Sequence, residues 1–200
     1  PTLGNATDFG DLSSNAHTEC GIVSNATRGL FGGGETSGGK SDVIGYVKPS
    51  STGNEVDFGN LTVARHDCGA PCSPTRVVFV AGEGSPANVN TMDYVEIATT
   101  GNAVDFGDAT ISARGHMGTS SSTRGVMGGG HISPNASNSI GFITIASQGN
   151  EIDFGDFTGF KTDSILSTKG IVNTIPGKSN ISLEVNGNPP EGDTYFCGLP

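Results

Sequence analysis

Tryptophan is absent from the 200 residues, and lysine and arginine together number only 10 against 20 acidic residues. The formal net charge of −10 argues against a nucleic-acid partner, because binding to phosphate backbones needs clusters of Lys and Arg. Long apolar runs are also missing. No stretch approaches the ~20 residues that a membrane-spanning helix requires, so we expect no membrane insertion. No segment repeats its apolar residues every 3.6 positions over about 11 residues, which argues against amphipathic helices.

Cysteine is scarce, with four residues at positions 20, 68, 72 and 197. None of them forms a CxxC pair, which excludes zinc-ribbon and thioredoxin-like motifs. An even cysteine count in a glycine-rich, lysine-poor chain favours an extracellular or particle-borne protein with disulfides. Buried free thiols are the alternative, and the sequence does not determine any pairing.

What the sequence does contain is an internal repeat. An Asp-Phe-Gly triplet occurs four times, each time shortly after a Gly-Asn pair. The central phenylalanines are Phe9, Phe58, Phe106 and Phe154. Self-similarity at a period of about 48 residues indicates a propeller, a solenoid or an array. We predict that these four side chains fill the space between neighbouring repeats.

Each repeat divides into four short pieces that are bounded by Gly, Ser, Asn and Pro. The pieces are rich in β-branched and aromatic residues, which predicts strands and an all-β fold. Four antiparallel strands in each repeat are typical of a propeller blade. We therefore predict a propeller of about four blades over residues 1–187, with repeats at 10–58, 59–106 and 107–154, a degenerate repeat at 155–187 and a tail at 188–200. The N-terminal strand either closes this ring or pairs with another subunit.

The pattern resembles the Kelch repeat. The glycine doublets Gly33-Gly34 and Gly129-Gly130 match the end of that family's second strand. The third-strand aromatics are Tyr46, Tyr94 and Phe142, and an arginine follows the fourth strand at Arg65 and Arg114. Two departures are that phenylalanine replaces the family's fourth-strand tryptophan and that Ala81-Gly82 replaces one doublet. The resemblance implies a small Kelch-like β-propeller.

The wording of the repeat is also similar to tandem repeats in structural proteins of marine bacteriophages, including viruses of cyanobacteria. Residues 97–108 (IATTGNAVDFGD) and 123–130 (TRGVMGGG) carry this second resemblance. It implies a non-enzymatic protein of the virion surface, on the tail or the capsid exterior, that assembles with other virion proteins or copies of itself. The alternative is a propeller lectin that binds host-surface glycan through the variable loops 35–42, 83–91 and 131–139.

No catalytic motif stands out from the repeat, so we predict neither an enzyme nor a cofactor. Asp-Phe-Gly also occurs in protein kinases, but four copies without a nucleotide loop exclude that function. Cys20, Cys68 and His116 occupy equivalent positions and would face each other around a propeller axis. Such a group could bind zinc or copper. A Cys20–Cys68 disulfide or simple space filling is the alternative, and our prediction is that no metal is bound.

Overall fold

The structure is a computed structural model that describes residues 4–13 and 18–161. Most of the predicted degenerate repeat and the whole predicted tail lie outside these residues. The described chain is all β, without a helix in these ranges, which confirms the predicted fold class. Its strands form three antiparallel sheets, one for each complete repeat, and a small hairpin.

The first sheet and its hairpin come from residues 21–60. The strands are β1 (Gly21–Ser24), β2 (Gly29–Gly32), β3 (Glu35–Thr36), β4 (Gly39–Lys40), β5 (Val43–Val47) and β6 (Val56–Asn60). The sheet has the order β1-β2-β5-β6, while β3 and β4 pair only with each other. This is an antiparallel meander, as the four short pieces of the repeat predict.

The second and third sheets repeat this order. The second consists of β7 (Arg76–Glu83), β8 (Asn88–Glu96) and β9 (Val104–Asp108). Gly69 and Cys72 form isolated bridges to β7, at the place where the first strand of this sheet is expected. The third consists of β10 (Met117–Ser120), β11 (Arg124–Gly128), β12 (His131–Ile132), β13 (Asn135–Thr144) and β14 (Ile152–Lys161). Here β10, β11, β13 and β14 pair in succession, and β12 adds to β13.

Successive sheets stack face to face, as the side chains of β7 show. Side chains of a strand alternate between its two faces. Val77 and Phe79 belong to the core shared with the first sheet, whereas Val78 and Val80 belong to the core shared with the third. All four are fully buried. The second sheet is therefore apolar on both faces because it lies between two others.

The linkers that lead into the first strand of each repeat also lie next to each other. The N–H of Asp67 donates to the carbonyl of Glu19 at 2.6 Å, and the N–H of Gly115 donates to the carbonyl of Asp67 at 2.9 Å. A Cβ on Gly69 would stand 2.4 Å from the carbonyl oxygen of His116, so only glycine permits this approach. Small residues in these linkers, such as Gly69, let the three repeats pack closely.

Candidate functional site

The Asp-Phe-Gly motif builds the junction between one repeat and the next. The carbonyl of its phenylalanine accepts a hydrogen bond from the glycine N–H of the following repeat's Gly-Asn pair. These bonds are Gly53 to Phe9 at 2.7 Å, Gly101 to Phe58 at 2.7 Å and Gly149 to Phe106 at 2.8 Å. In Gly59, which has a φ of 150°, a Cβ would stand 2.3 Å from the carbonyl oxygen of Gly101. The motif glycine is required because the neighbouring backbone occupies the place of a side chain.

The polar cap of this junction is an asparagine. The motif aspartates Asp8 and Asp153 each accept from the glycine N–H two residues later in the same segment. The cross-repeat bond comes from the next Gly-Asn pair, whose side-chain oxygens accept backbone N–H groups: Asn54 from Asp11, Asn102 from Asn60 and Asn150 from Asp108. The recurring Gly-Asn pair was the sequence signal for this role.

Each repeat stacks an arginine, a third-strand aromatic and the motif phenylalanine. Tyr46 and Phe58 meet edge to face with ring centroids 5.9 Å apart, and Arg28 lies 4.6 Å from the Tyr46 centroid. The Arg28 guanidinium then donates to the carbonyl of Ile97 in the next sheet at 2.7 Å. Equivalent stacks form around Tyr94 and Phe142. The arginine thus links the aromatic pair of one sheet to the backbone of the next.

The four predicted packing phenylalanines fall into two groups. Phe58 and Phe106 are each 2% exposed and lie in the first and second inter-sheet cores. Phe9 is 39% exposed and Phe154 is 58% exposed. The difference follows from position, because the two buried rings belong to sheets that carry another sheet on that face.

The outward face of the third sheet keeps the apolar pattern of the buried faces. Val126, Ile140, Phe142 and Phe157 are half-buried on this face, next to the exposed Phe154. The equivalent residues of the first sheet are buried, namely Leu30, Ile44, Tyr46, Leu61 and Phe58. Scattered apolar residues are common on protein surfaces, but a contiguous patch marks an interaction site. The third sheet therefore presents a face suited to packing against another unit.

Each repeat also holds one carboxylate near the linker that leads into its sheet. The sequence position that supplies this carboxylate differs between repeats. In the third repeat it belongs to Glu151, opposite Gly141, where a Cβ would stand 2.1 Å from Glu151 Oε1. The first repeat has the same arrangement with Glu55 and Gly45. The second repeat instead has Asp93 where the others have glycine, and Ala103 where they have glutamate.

All three carboxylates accept the same bond from the preceding linker at 2.7 Å. The donors are the N–H groups of Ser13 to Glu55, Thr62 to Asp93 and Thr110 to Glu151. The two threonine hydroxyls donate to the same carboxylate oxygens as well. The carboxylate therefore accepts the same linker N–H in every repeat, whereas the backbone position of the residue that supplies it differs. We did not identify this exchange from the sequence, although the Gly/Glu and Asp/Ala pairs ten residues apart signal it.

The side chains that bond to these carboxylates also differ between repeats. Arg65 donates to Asp93 at 2.5 Å, and both side chains are fully buried. His116 places Nε2 3.2 Å from Oε1 of Glu151 and Nδ1 3.0 Å from the carbonyl oxygen of Gly129. Burial on its own would raise the pKa of Glu151, but the bonds from His116 and Thr110 outweigh it and hold that pKa below its usual range. These buried pairs join strands and linkers within the stack.

Of the three candidates for a channel metal site, Cys20 and Cys68 lie close enough to influence each other electrostatically, whereas His116 is paired with Gly129 and Glu151. Burial raises the pKa of the Cys20 thiol to about 12, with smaller contributions from Cys68 and Glu55. Burial also raises the pKa of the Cys68 thiol, which outweighs the lowering effect of Arg65. Both cysteines are free thiols, and the raised pKa values favour the protonated form of each. Both ring nitrogens of His116 already face oxygen acceptors.

In the described part of the chain, a different group gathers donor atoms at metal-binding distances. One ligand atom from each of Glu19, His66 and Asp67 lies within 4.8 Å of the other two. The group lies near the hairpins that connect the second and third strands, where Lys40 contacts Glu83 at 2.9 Å. The sequence did not indicate this group, because its members come from the linkers of two different repeats.

Known proteins give no further guide to the site. No model of a known protein family matches the chain, and a search of curated proteins finds no significant match. In the described residues, no helix is long and apolar enough to cross a membrane.

Proposed function

We propose that this chain is a non-enzymatic structural module of a bacteriophage particle, exposed on the virion surface, and that its repeats form a small Kelch-like propeller of about four blades. The observation that carries this proposal is how the recurring side chains are used. The motif phenylalanines, the Gly-Asn pairs and the stacked arginines bind one repeat to the next, and the buried carboxylates hold the linker that enters each sheet. Residues that recur for packing leave little chemistry for catalysis, which favours an architectural role.

Two further observations support the propeller. The small-residue linkers of three repeats lie side by side, as strands at a hub would. The N-terminal segment 4–13 bonds to the first sheet as the fourth strand of a preceding repeat would, through Phe9 and Asp11. In a closed ring this preceding repeat would be the degenerate one, which follows the third sheet in the sequence.

Small-angle scattering tests the ring. A compact chain of 200 residues has a radius of gyration of about 16–17 Å. A monomer near this value supports closure within one chain. A clearly larger monomer, or a dimer that dissociates when Phe154 is replaced by Arg, would instead show that a second copy covers the third sheet.

The virion assignment is supported by the repeat wording and by an acidic surface, which keeps an exposed protein soluble. Immunogold labelling of purified phage particles that encode this chain is the direct test. Label on intact tails or capsids is the expected result. Particles that contain no label, although the antibody recognises the purified chain, would rule out the assignment.

A glycan-binding role is the second candidate, and one observation favours it. The three variable hairpins lie together, because Lys40 bonds to Glu83 and to the carbonyl of Gly84, and Asn88 donates to the carbonyl of His131 at 2.9 Å. A surface built from adjacent loops is typical of recognition sites. Binding of the purified chain to a glycan array would support this role, and an array without signal would count against it.

A further inference from the structure

The linkers of the first and second repeats meet at the hairpin end of the stack. Glu19 and Asp67 are joined by a backbone hydrogen bond of 2.6 Å. Both have left-handed backbones, with φ of 55° and 53°. This conformation is uncommon for residues other than glycine. The two linkers bring the Glu19 and Asp67 carboxylates to one side of the His66 ring.

His66 is a buried side chain with an unsatisfied nitrogen. Its side chain is only 5% exposed, and its backbone N–H and carbonyl are both bonded to Glu83. The Nδ1 atom lies 3.0 Å from Oε2 of Glu19 and 3.7 Å from Oδ2 of Asp67, yet it forms no hydrogen bond. Buried polar atoms are almost always paired, so an unpaired one that faces two carboxylates indicates a missing partner.

The charges around the ring indicate that this partner is a cation. Besides Glu19 and Asp67, the carboxylates of Glu35 and Glu83 each lie 3.9 Å from Nε2.

Two cations offset part of this charge. Lys40 and Arg114 both bond to Glu83, and the Lys40 bond is the main reason that the pKa of Glu83 is lowered. Four carboxylates against two cations leave two negative charges, which is the charge that one divalent ion neutralises.

We propose that Glu19, His66 and Asp67 bind one divalent transition-metal cation of the zinc class through His66 Nδ1 and one oxygen of each carboxylate. Metal–ligand bonds of about 2.0–2.2 Å place neighbouring ligand atoms about 3.0–3.5 Å apart. The observed separations of 3.0 and 3.7 Å from Nδ1 fall close to that range. A mixed imidazole and carboxylate set suits zinc better than the all-oxygen sets that calcium and magnesium prefer. The ion would bind the linker of the first repeat to that of the second.

Glu19 and Glu35 form a matched pair for the test. Their side chains are 57% and 51% exposed, so replacing either one with Gln removes one charge with little risk to the fold. Zinc binding is measured by calorimetry on the chelator-treated full chain. Glu19→Gln should weaken one zinc site by at least about 10- to 100-fold, which is the range for losing even an outer-shell partner of a metal ligand. Glu35→Gln should weaken it by less than about 5-fold, as expected for an exposed charge alone.

His66→Gln should abolish the same site, with circular dichroism as the check that this buried variant folds. Nitrogen NMR of the histidine rings gives a second readout, because zinc should change the Nδ1 resonance of His66. Zinc bound by cysteines would be unaffected by these changes. Equal losses in Glu19→Gln and Glu35→Gln, unchanged zinc binding in a folded His66→Gln, or an unchanged His66 Nδ1 resonance would each overturn the proposal. In that case the ring is held among the surrounding carboxylates without a metal ion.

Discussion

The exchange of carboxylate position between repeats predicts a specific pair of compensating mutations. Asp93→Gly combined with Ala103→Glu would give the second repeat the arrangement that the third repeat has with Gly141 and Glu151. Either change alone should be harmful, and the two together should be tolerated. The prediction depends on one physical claim, that the linker N–H and hydroxyl need a carboxylate at a fixed point in space.

The magnitudes follow from the contacts of Asp93. Its carboxylate is fully buried and accepts bonds from Arg65 at 2.5 Å, from the Thr62 N–H at 2.7 Å and from the Thr62 hydroxyl at 2.6 Å. Removal of one partner of a buried ion pair costs about 3–5 kcal/mol, because the other charge remains buried without compensation. A glycine within a strand costs a further ~0.5–1 kcal/mol. We expect Asp93→Gly to lower the free energy of unfolding by about 4 kcal/mol.

The second single variant fails for a steric reason. At the equivalent position in the first repeat, a Cβ on Gly45 would stand 1.5 Å from Oε1 of Glu55. Ala103→Glu therefore forces its carboxylate against Asp93, which should cost about 1–3 kcal/mol through overpacking alone. In the double variant the clash is absent and Thr62 regains an acceptor. Its free energy of unfolding should lie within about 1.5 kcal/mol of the parent.

Equilibrium urea denaturation followed by far-ultraviolet circular dichroism measures all four proteins, and the m-values show whether they unfold in the same way. The double-mutant cycle should give a favourable coupling of about 3 kcal/mol or more between positions 93 and 103. A double variant as unstable as Asp93→Gly would show that the carboxylate is tied to one backbone position. The equivalence of the repeats would then not extend to their buried acids.

Two further predictions concern the junctions and acid stability. Gly59→Ala and Gly155→Ala change the same motif position, with φ of 150° and 139°, but only at Gly59 does a neighbouring backbone occupy the Cβ position. Gly59→Ala should therefore cost about 1–3 kcal/mol more in urea denaturation, and equal costs would refute the junction. The pKa of Glu151 lies below its ordinary value of 4.5, so its contribution to stability is complete above that pH and is lost as the pH falls towards the folded-state pKa. Melting temperatures of Glu151→Gln should accordingly fall less than those of the parent between about pH 5 and pH 3, and parallel curves would contradict this.

Much of the fold could be predicted from the sequence because the repeat determines it locally. The 48-residue period, the strand composition and the glycines set the sheets and their order without knowledge of long-range geometry. The side chains between sheets were harder to predict. Whether Cys20, Cys68 and His116 face each other depends on the rotation and shift from one sheet to the next, which the period does not contain. The carboxylate of each repeat could be predicted only by comparing two positions at once.

The site around His66 could not be predicted from the sequence for a related reason. Glu19 and Asp67 are brought together by left-handed backbones in two linkers, and these linkers are the least regular part of the repeat. In the third repeat, the position equivalent to His66 is occupied by Arg114. A search for repeated patterns finds residues that recur in every repeat. This group does not recur, because the third repeat has an arginine in place of the histidine.

We expect the buried polar pairs to help specify how these similar repeats pack. Apolar contacts are non-directional, so apolar faces alone would allow a sheet to shift against its neighbour at little cost. Arg65 with Asp93 and His116 with Glu151 give each gap a different set of partners, although such pairs contribute little net stability. Arg65→Met combined with Asp93→Leu should therefore change the free energy of unfolding by less than about 2 kcal/mol, far less than Asp93→Gly alone. It should instead multiply or broaden the amide NMR signals of the second repeat, because several packings become similar in energy. A single sharp set of signals at unchanged stability would show that apolar shape alone fixes the order of the sheets.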